Sequence, residues 1–431
     1  MSLPTSLLLL LSLLLILLSP TTSHSPNYLK LQLIHTNTLL HNNSTHFSLL
    51  HHHRHRNRPR IHTPIVSGAA TGSGQYFASL TLGTPPQRLL LVADTGSDLT
   101  WLRSSSSRQP HYHHRNHRAA FLLRRSRSFR ALHCLHTKCH LLPHQQCRGP
   151  HSSCQYTYSY ADGSVTSGIL STDVTSFNTT LTFGCAFNLS GPSITGPAFE
   201  GAAGVMGLGK GPLSFTEQLG KRFGNRFSYC LPDYTISPPK ISYLVIGGRH
   251  GVVSRNTRST PLLTNIFATT FYYIEILYVI IENVKLPINP SVWGIDDLGN
   301  GGTIIDSGTT LTFFPEPAYR QIVKEMADRV KLPRLSKASQ VFDLCYNVSG
   351  VSKLNLPSLK LVFAGDSVFD PPPGNYFIDT AKDVKCLALQ AVTSPAGNAV
   401  IGNLMQQGFL FEFDNDRSRL LFSRSGCGNP R

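Results

Sequence analysis

Two four-residue runs stand out for what their side chains could do together: Asp94-Thr95-Gly96-Ser97 and Asp306-Ser307-Gly308-Thr309. Each offers a carboxyl, a hydroxyl, a glycine and a second hydroxyl in the same order. Two carboxyls within hydrogen-bonding distance cannot both ionise easily, so one stays protonated as an acid while its neighbour serves as a base. Such a pair could activate a water molecule against a carbonyl carbon and protonate the carbonyl oxygen, with no metal required. Its two protonation steps would belong to the pair rather than to either residue. Gly96 and Gly308 would let each backbone turn sharply and approach the other loop. Thr95, Ser97, Ser307 and Thr309 supply hydroxyls to hold loops and carboxyls in place. Taken singly, either run reads as an Asx-type turn closing a strand. Two copies, each directly after an apolar run, are poorly explained that way.

The surroundings of the two runs match as well. LLLVADTGSDLTW in the first half resembles GGTIIDSGTTLTF in the second, and the two Asp residues lie 212 positions apart. Downstream of each Asp comes an apolar pair before glycine, Val205-Met206-Gly207 and Val400-Ile401-Gly402. A repeat so widely spaced points to a duplicated half supplying one Asp each, not to a solenoid. Strand-like runs begin at Tyr76 with a hairpin and a buried strand. Others are expected at Gln155–Tyr160, Ser167–Phe183, Ile241–Ile246, Phe271–Ile281, Thr303–Ile305, Leu359–Phe363 and Phe409–Asp414. Helical periodicity is clearest over Pro317–Val330, which has proline near its start.

The 431 residues are 41% apolar and 14% charged, with 34 Gly and 28 Pro, which suits a turn-rich, mostly β protein of more than one core. Leu7–Leu18 is a short apolar run followed by small polar residues, so residues 1–23 are expected to be a signal peptide. Residues 24–72 are polar, rich in His and Asn, and read as a prosegment and linker. Within them, His51–His53 and His55 could gain charge as pH falls and gate maturation, or form a plain solvated tract. No later stretch reads as membrane-spanning.

The net charge of +16 is uneven: residues 1–130 carry 14 basic against 2 acidic side chains, and the remainder 25 against 21. The basic stretches His51–Arg60 and Arg103–Arg130 lack an aromatic stacking platform or a nucleic-acid-binding motif, which argues against a nucleic-acid partner. Nine Cys in a secretory chain suggest disulfides with one left over. Sequons at Asn178, Asn188 and Asn347, and also at Asn42 and Asn43, are candidates for glycosylation.

With these motifs in place the chain resembles the pepsin-like aspartic proteases, in their plant nepenthesin-like branch. The match is carried by VADTGSDLTW, CQYTYSYADGSVTSG, TFGC, GVMGLGKGPLSF, RFSYCL, GGTIIDSGTTLTF and AVIGNLMQQGFLFEFD, in that order. The resemblance implies a mostly β, bilobal fold with the site in a cleft between related lobes, 73–250 and 251–431. It implies Asp94 and Asp306 as the catalytic pair, braced by Thr95 and Ser307. Tyr160 would be the flap tyrosine, able to hydrogen-bond Trp101. From the residues alone, Tyr160 reads as a strand tyrosine before an Asp162-Gly163 turn. Protein or peptide substrates, no cofactor or metal, a monomeric state and a secreted, extracellular or cell-wall location (or a vacuolar one) follow as expectations. The remaining cysteine pattern suggests nested bridges Cys134–Cys154 and Cys139–Cys147. Family analogy adds Cys230–Cys427 and Cys345–Cys386.

Three departures accompany the resemblance. The segment after Trp101 holds no Cys, which leaves Cys185 without its usual partner, as a buried thiol or an intermolecular bridge. Ala161 stands in the flap where glycine is common. Plant relatives also include inhibitors of cell-wall-degrading glycosidases with damaged motifs, so a protease-like binding protein is the alternative. Both motifs are intact here.

Overall fold

The structure, a computed structural model, describes residues 28–35, 74–105, 120–196, 199, 201–233, 242–247, 256–335, 341–394 and 396–424. The proposed signal peptide, most of the prosegment with its histidines and sequons, the Cys-free segment 106–119 and Cys427 lie outside the described residues. Strands are the dominant regular element of the described chain, with few helices. Among these residues no helix is long and apolar enough to cross a membrane.

The strand Gln87–Asp94 shows why the apolar run before the first Asp is nearly unbroken. Side chains alternate across a strand. Leu89, Leu91 and Ala93 face the larger core, while Val92 and Leu90 face a second one. Both faces are covered, so no polar alternation is expected. Its partner Tyr76–Leu82 divides the same way, with Tyr76, Ala78, Leu80 and Leu82 on one side and Phe77 on the other. Full burial of each such Leu or Phe contributes about 1.5–3 kcal/mol before entropy is counted.

The two halves repeat one arrangement. Gly204–Gly207 runs parallel to the Asp94 strand, with Gly207 beside Asp94. Ala399–Ile401 runs parallel to Thr303–Ile305, with Ile401 beside Ile305. Each Asp therefore leaves the end of a strand that is sandwiched in its sheet, and each apolar-pair-plus-glycine segment is the neighbour. A Cβ on Gly207 would lie 2.3 Å from the Asp98 carbonyl oxygen, and one on Gly402 would lie 2.1 Å from that of Leu311.

A continuous sheet joins the halves. Arg226–Cys230 of the first pairs antiparallel with Leu410–Asp414 of the second. In this seam Phe227 stacks on Phe413 with centroids 4.5 Å apart. Arg226 reaches Asp414 at 3.2 Å and Glu412 at 3.9 Å.

Most elements fall where the pattern placed them, with informative exceptions. The long run Ser167–Phe183 is two strands, Val165–Val174 and Thr180–Ser190, which turn back at Asn178 with φ 56°. Asparagine tolerates that left-handed conformation, and the apolar alternation simply continues on both sides of the turn. The helix spans Glu316–Arg329 and buries Ala318, Tyr319, Ile322 and Met326. Within the polar region that pattern left without elements, Tyr28–His35 forms a strand between Ser242–Gly247 and Tyr76–Leu82. Its Leu31 and Leu33 enter the main core.

The nested cysteine pairing is corrected. Cys134 bonds Cys147 and Cys139 bonds Cys154, so the bridges cross. The spacing alone permits either pattern. The short 3-10 helix Thr137–Leu141 turns Cys139 inward, where it and Cys154 are both fully buried, whereas Cys147 is exposed and meets Cys134. Cys345 and Cys386 are bridged across adjacent strands, and Cys230 is disulfide-bonded. Cys185 is a free, buried thiol that donates to Ser104 Oγ at 2.8 Å. Burial pushes it up to about 12. That burial leaves it no surface from which to bridge another molecule. A non-reducing peptide map should therefore recover Cys134 with Cys147 and Cys139 with Cys154; recovery of the nested pairs would contradict this loop.

Candidate active site

The two Asp loops are built as mirror copies that hold each other. The Thr95 backbone N–H donates to Ser307 Oγ at 3.1 Å, and the Ser307 N–H donates to Thr95 Oγ1 at 2.9 Å. Each hydroxyl then donates onward to the carbonyl just before the opposite Asp: Thr95 Oγ1 to Ile305 O at 3.0 Å, and Ser307 Oγ to Ala93 O at 2.8 Å. All four bonds are buried. Buried polar groups are costly when unpaired, so these loops have strong reason to stay together.

The carboxyls are held in equally matched fashion. Asp94 accepts from the Gly96 N–H at 2.9 Å and from Ser97 Oγ at 2.5 Å. Asp306 accepts from the Gly308 N–H at 2.8 Å and from Thr309 Oγ1 at 2.5 Å. Each glycine faces the other loop's acid. A Cβ on Gly308 would lie 2.1 Å from Asp94 Oδ1, and one on Gly96 would lie 2.6 Å from Asp306 Oδ2. Any larger residue at either position would push the carboxyls apart.

Asp94 and Asp306 are 8% and 7% exposed, and each lies against the glycine of the opposite loop, close enough for the Asp306 charge to act on Asp94. Burial first, and the Asp306 charge second, raise Asp94 to about 8, against the lowering effect of Ser97 and Gly96. The pair therefore keeps a proton well above the ordinary carboxylate range.

Beneath the dyad lie buried polar side chains that no sequence motif marks as functional. Gln406 Nε2 donates to the Asp306 carbonyl at 3.0 Å and to that of Ile401 at 2.8 Å. Tyr229 OH donates to Gln406 Oε1 at 2.6 Å. Asn403 Nδ2 donates to the Ser307 carbonyl at 3.0 Å. Tyr229 is raised well above its ordinary value, by burial and then by the Asp306 charge. The available signal was the polar set Asn403, Gln406 and Gln407 inside an apolar context, which a buried network demands.

On the other side lies the hairpin of Gln155–Ser159 and Val165–Val174. At its tip the Tyr160 N–H donates to Ser164 O, and Gly163 takes φ +80°. Ala161 is not among the residues of positive φ, so the alanine adds no backbone strain there. Trp101 Nε1 donates to Tyr160 OH at 2.7 Å. Tyr160 is raised well above the usual tyrosine value, by burial first and by the Asp94 charge second. The sequon residues Asn178 and Asn188 are exposed, and Asn347 is half-buried. The only cluster with metal-ligand geometry among the described residues is Cys134, Cys139 and Cys147, all in disulfides.

Residues 76–248 match the family model described as "Xylanase inhibitor N-terminal", and residues 271–424 match "Xylanase inhibitor C-terminal". The chain is 37% identical over 371 residues to "Aspartyl protease family protein 2" of Arabidopsis thaliana, covering 84% of this chain and 73% of that protein. It is 34% identical to "Aspartic proteinase nepenthesin-1" of Nepenthes gracilis, covering 84% and 80%. Among solved structures it resembles conglutin gamma from lupine seeds, with TM-score 0.66 and 18% identity over 94% of this chain and 96% of that one. Basic 7S globulin from soybean gives TM-score 0.64 and 20% identity, covering 94% and 98%. These two likenesses speak to the fold. The matched halves, the relatives and the paired Asp loops together identify the chain as a member of the pepsin-like aspartic protease family, in its plant nepenthesin-like branch.

Proposed function

We propose that the protein is an aspartic endopeptidase in which Asp94 and Asp306 share one proton and direct water against a peptide bond. The observation that carries this reading is the pair of buried carboxyls brought together by the crossed Thr95 and Ser307 bonds, one raised to about 8, each fixed by a backbone N–H and a hydroxyl. The ionised carboxylate takes a proton from water, the oxygen attacks the carbonyl carbon, and the protonated partner gives its proton to the carbonyl oxygen. Collapse of the tetrahedral adduct returns that proton and delivers the other to the leaving nitrogen, restoring a singly protonated pair. The resting proton belongs to the pair rather than to either residue. Tyr160 is the group proposed to cover the bound peptide. The reading includes entry to the secretory route by the N-terminal signal, a mature chain that acts as a monomer outside the cell or in the vacuole, and no metal or cofactor.

A binding protein on the same fold is the second reading. Its support is the description of both matching family models as xylanase inhibitor halves. Its difficulty is that neither Asp loop has lost a residue that the chemistry requires.

The processed parent should cleave a denatured protein at acidic pH and be inhibited by a statine-type mimic of the tetrahedral adduct. Asp94→Asn should lose at least about a thousandfold in kcat/KM, as expected for a residue that acts only as part of a unit. A correctly folded, processed parent with no cleavage would favour the binding reading.

A second outcome concerns stability. Asp94 is raised above its ordinary 3.8 in the fold. Between the two values the folded state keeps a proton that the unfolded state has released, so the dyad's contribution to stability falls as pH rises through that window. Thermal melts of Asp94→Asn should vary less with pH from about 4 to about 8 than those of the parent. Parallel pH profiles would contradict the shared proton.

A further inference from the structure

Asp98 follows the first Asp loop, and its counterpart by position in the second half is Thr310. The acid thus breaks the twofold repeat in the half that carries the Tyr160 hairpin. Its surroundings are built around it. Asp98 Oδ1 accepts from the Gly211 N–H at 2.7 Å, and Oδ2 accepts from Thr270 Oγ1 at 2.6 Å. Three alternate glycines of GVMGLGKG make the space. A Cβ on Gly207 would lie 2.3 Å from the Asp98 carbonyl oxygen, one on Gly209 would lie 2.3 Å from Oδ1, and one on Gly211 would lie 2.2 Å from Oδ2. Burial raises the carboxyl while the bonds from Thr270 and Gly211 lower it.

Asp98 also reaches the hairpin. Its own N–H donates to Tyr158 OH at 3.2 Å. The Tyr158 ring meets Tyr160 edge-on at 5.4 Å, and Trp101 holds the Tyr160 hydroxyl. Two more bonds join the same loops across the halves: the Lys210 N–H donates to Thr270 O at 2.9 Å, and Tyr272 OH donates to Leu208 O at 2.8 Å. One residue therefore touches the dyad loop, the glycine loop, a segment of the second half and the hairpin.

We propose that Asp98 is a positioning residue that fixes the Tyr160 hairpin over the dyad by anchoring it to Thr270 in the second half. The role rests on the peptidase reading, and it acts through Tyr158 and Tyr160 rather than on the reacting atoms. The carboxylate fixes the Asp98 backbone, and that backbone's N–H docks the hairpin. Losing the anchor loosens the cover on the substrate while leaving the dyad's own hydrogen bonds in place. Substrate holding suffers, and chemistry on the bound peptide does not.

The test compares Asp98→Ala, Asp98→Asn, Thr270→Val and the Asp98→Ala/Thr270→Val pair, each in the full chain and processed as the parent. Asp98→Ala should raise KM about tenfold with kcat within about threefold, the scale of losing one or two hydrogen bonds to a charged acceptor. Thr270→Val should move KM the same way by about threefold, and the double variant should match Asp98→Ala, because Thr270's side-chain bond ends on Asp98. Asp98→Asn, which can accept from Gly211 and donate to Thr270, should restore KM to within about twofold of the parent. Hydrogen exchange supplies a readout independent of cleavage. Amides of Gln155–Ser159 and Val165–Val174 should exchange about tenfold faster in Asp98→Ala, with the helix Glu316–Arg329 unchanged. If the parent cleaves nothing, the peptidase reading fails, and the exchange pattern still decides whether Asp98 anchors the hairpin. Unchanged hairpin exchange, an equal rise throughout the chain, a fall in kcat at constant KM, or additive effects of Asp98→Ala and Thr270→Val would overturn the proposal.

Discussion

The crossed hydrogen bonds between Thr95 and Ser307 are the constraint on which the site depends. Two carboxyls in contact repel when both are ionised, and nothing in their own chemistry would hold them together. The opposing force is a set of buried donors that have no other acceptor. Each loop lends the other a hydroxyl for its N–H, and each hydroxyl is in turn consumed by a carbonyl of the opposite strand. Separating the loops would strand four buried polar contacts at once, a penalty of several kcal/mol at roughly 1–3 kcal/mol per unsatisfied group. The raised proton affinity of Asp94 follows from burial together with this enforced proximity.

The larger architecture serves the same end. The first Asp strand is covered on both faces and the second is buried along its length, so the loops leave from rigid positions. The seam between Arg226–Cys230 and Leu410–Asp414 unites the halves beneath the loops through stacked phenylalanines and a partly buried ion pair. From that seam Tyr229 reaches Gln406, which holds the carbonyl of Asp306 itself. The dyad is thus supported from strand to side chain to backbone. On the open side the support is asymmetric. One hairpin, through Tyr158 and Tyr160, meets Asp98 and Trp101.

Much of this was legible in the sequence, for a physical reason. The two Asp runs were visible because the chemistry demands the same residue types in each half, and duplication repeats them with their apolar strands attached. The alternating and continuous apolar runs marked most strands, since burial writes itself into residue type. What stayed hidden depended on three-dimensional accounting. The turn at Asn178 interrupts no apolar pattern. The strand Tyr28–His35 lies in a polar region, where its short apolar alternation was outweighed by the histidine-rich remainder. The crossing of Cys134–Cys147 and Cys139–Cys154 was set by which cysteine a 3-10 turn faces inward, and spacing is silent on that. Gln406 and Asp98 read as ordinary polar residues until their buried partners are known.

The most direct measurement of the central claim is the kcat/KM of Asp94→Asn, Asp306→Asn and the double variant on one peptide substrate. If the two carboxyls act as one proton-sharing unit, either single replacement costs nearly as much as both together. Losses that multiply in the double variant, or substantial cleavage by either single variant, would contradict the shared-proton dyad.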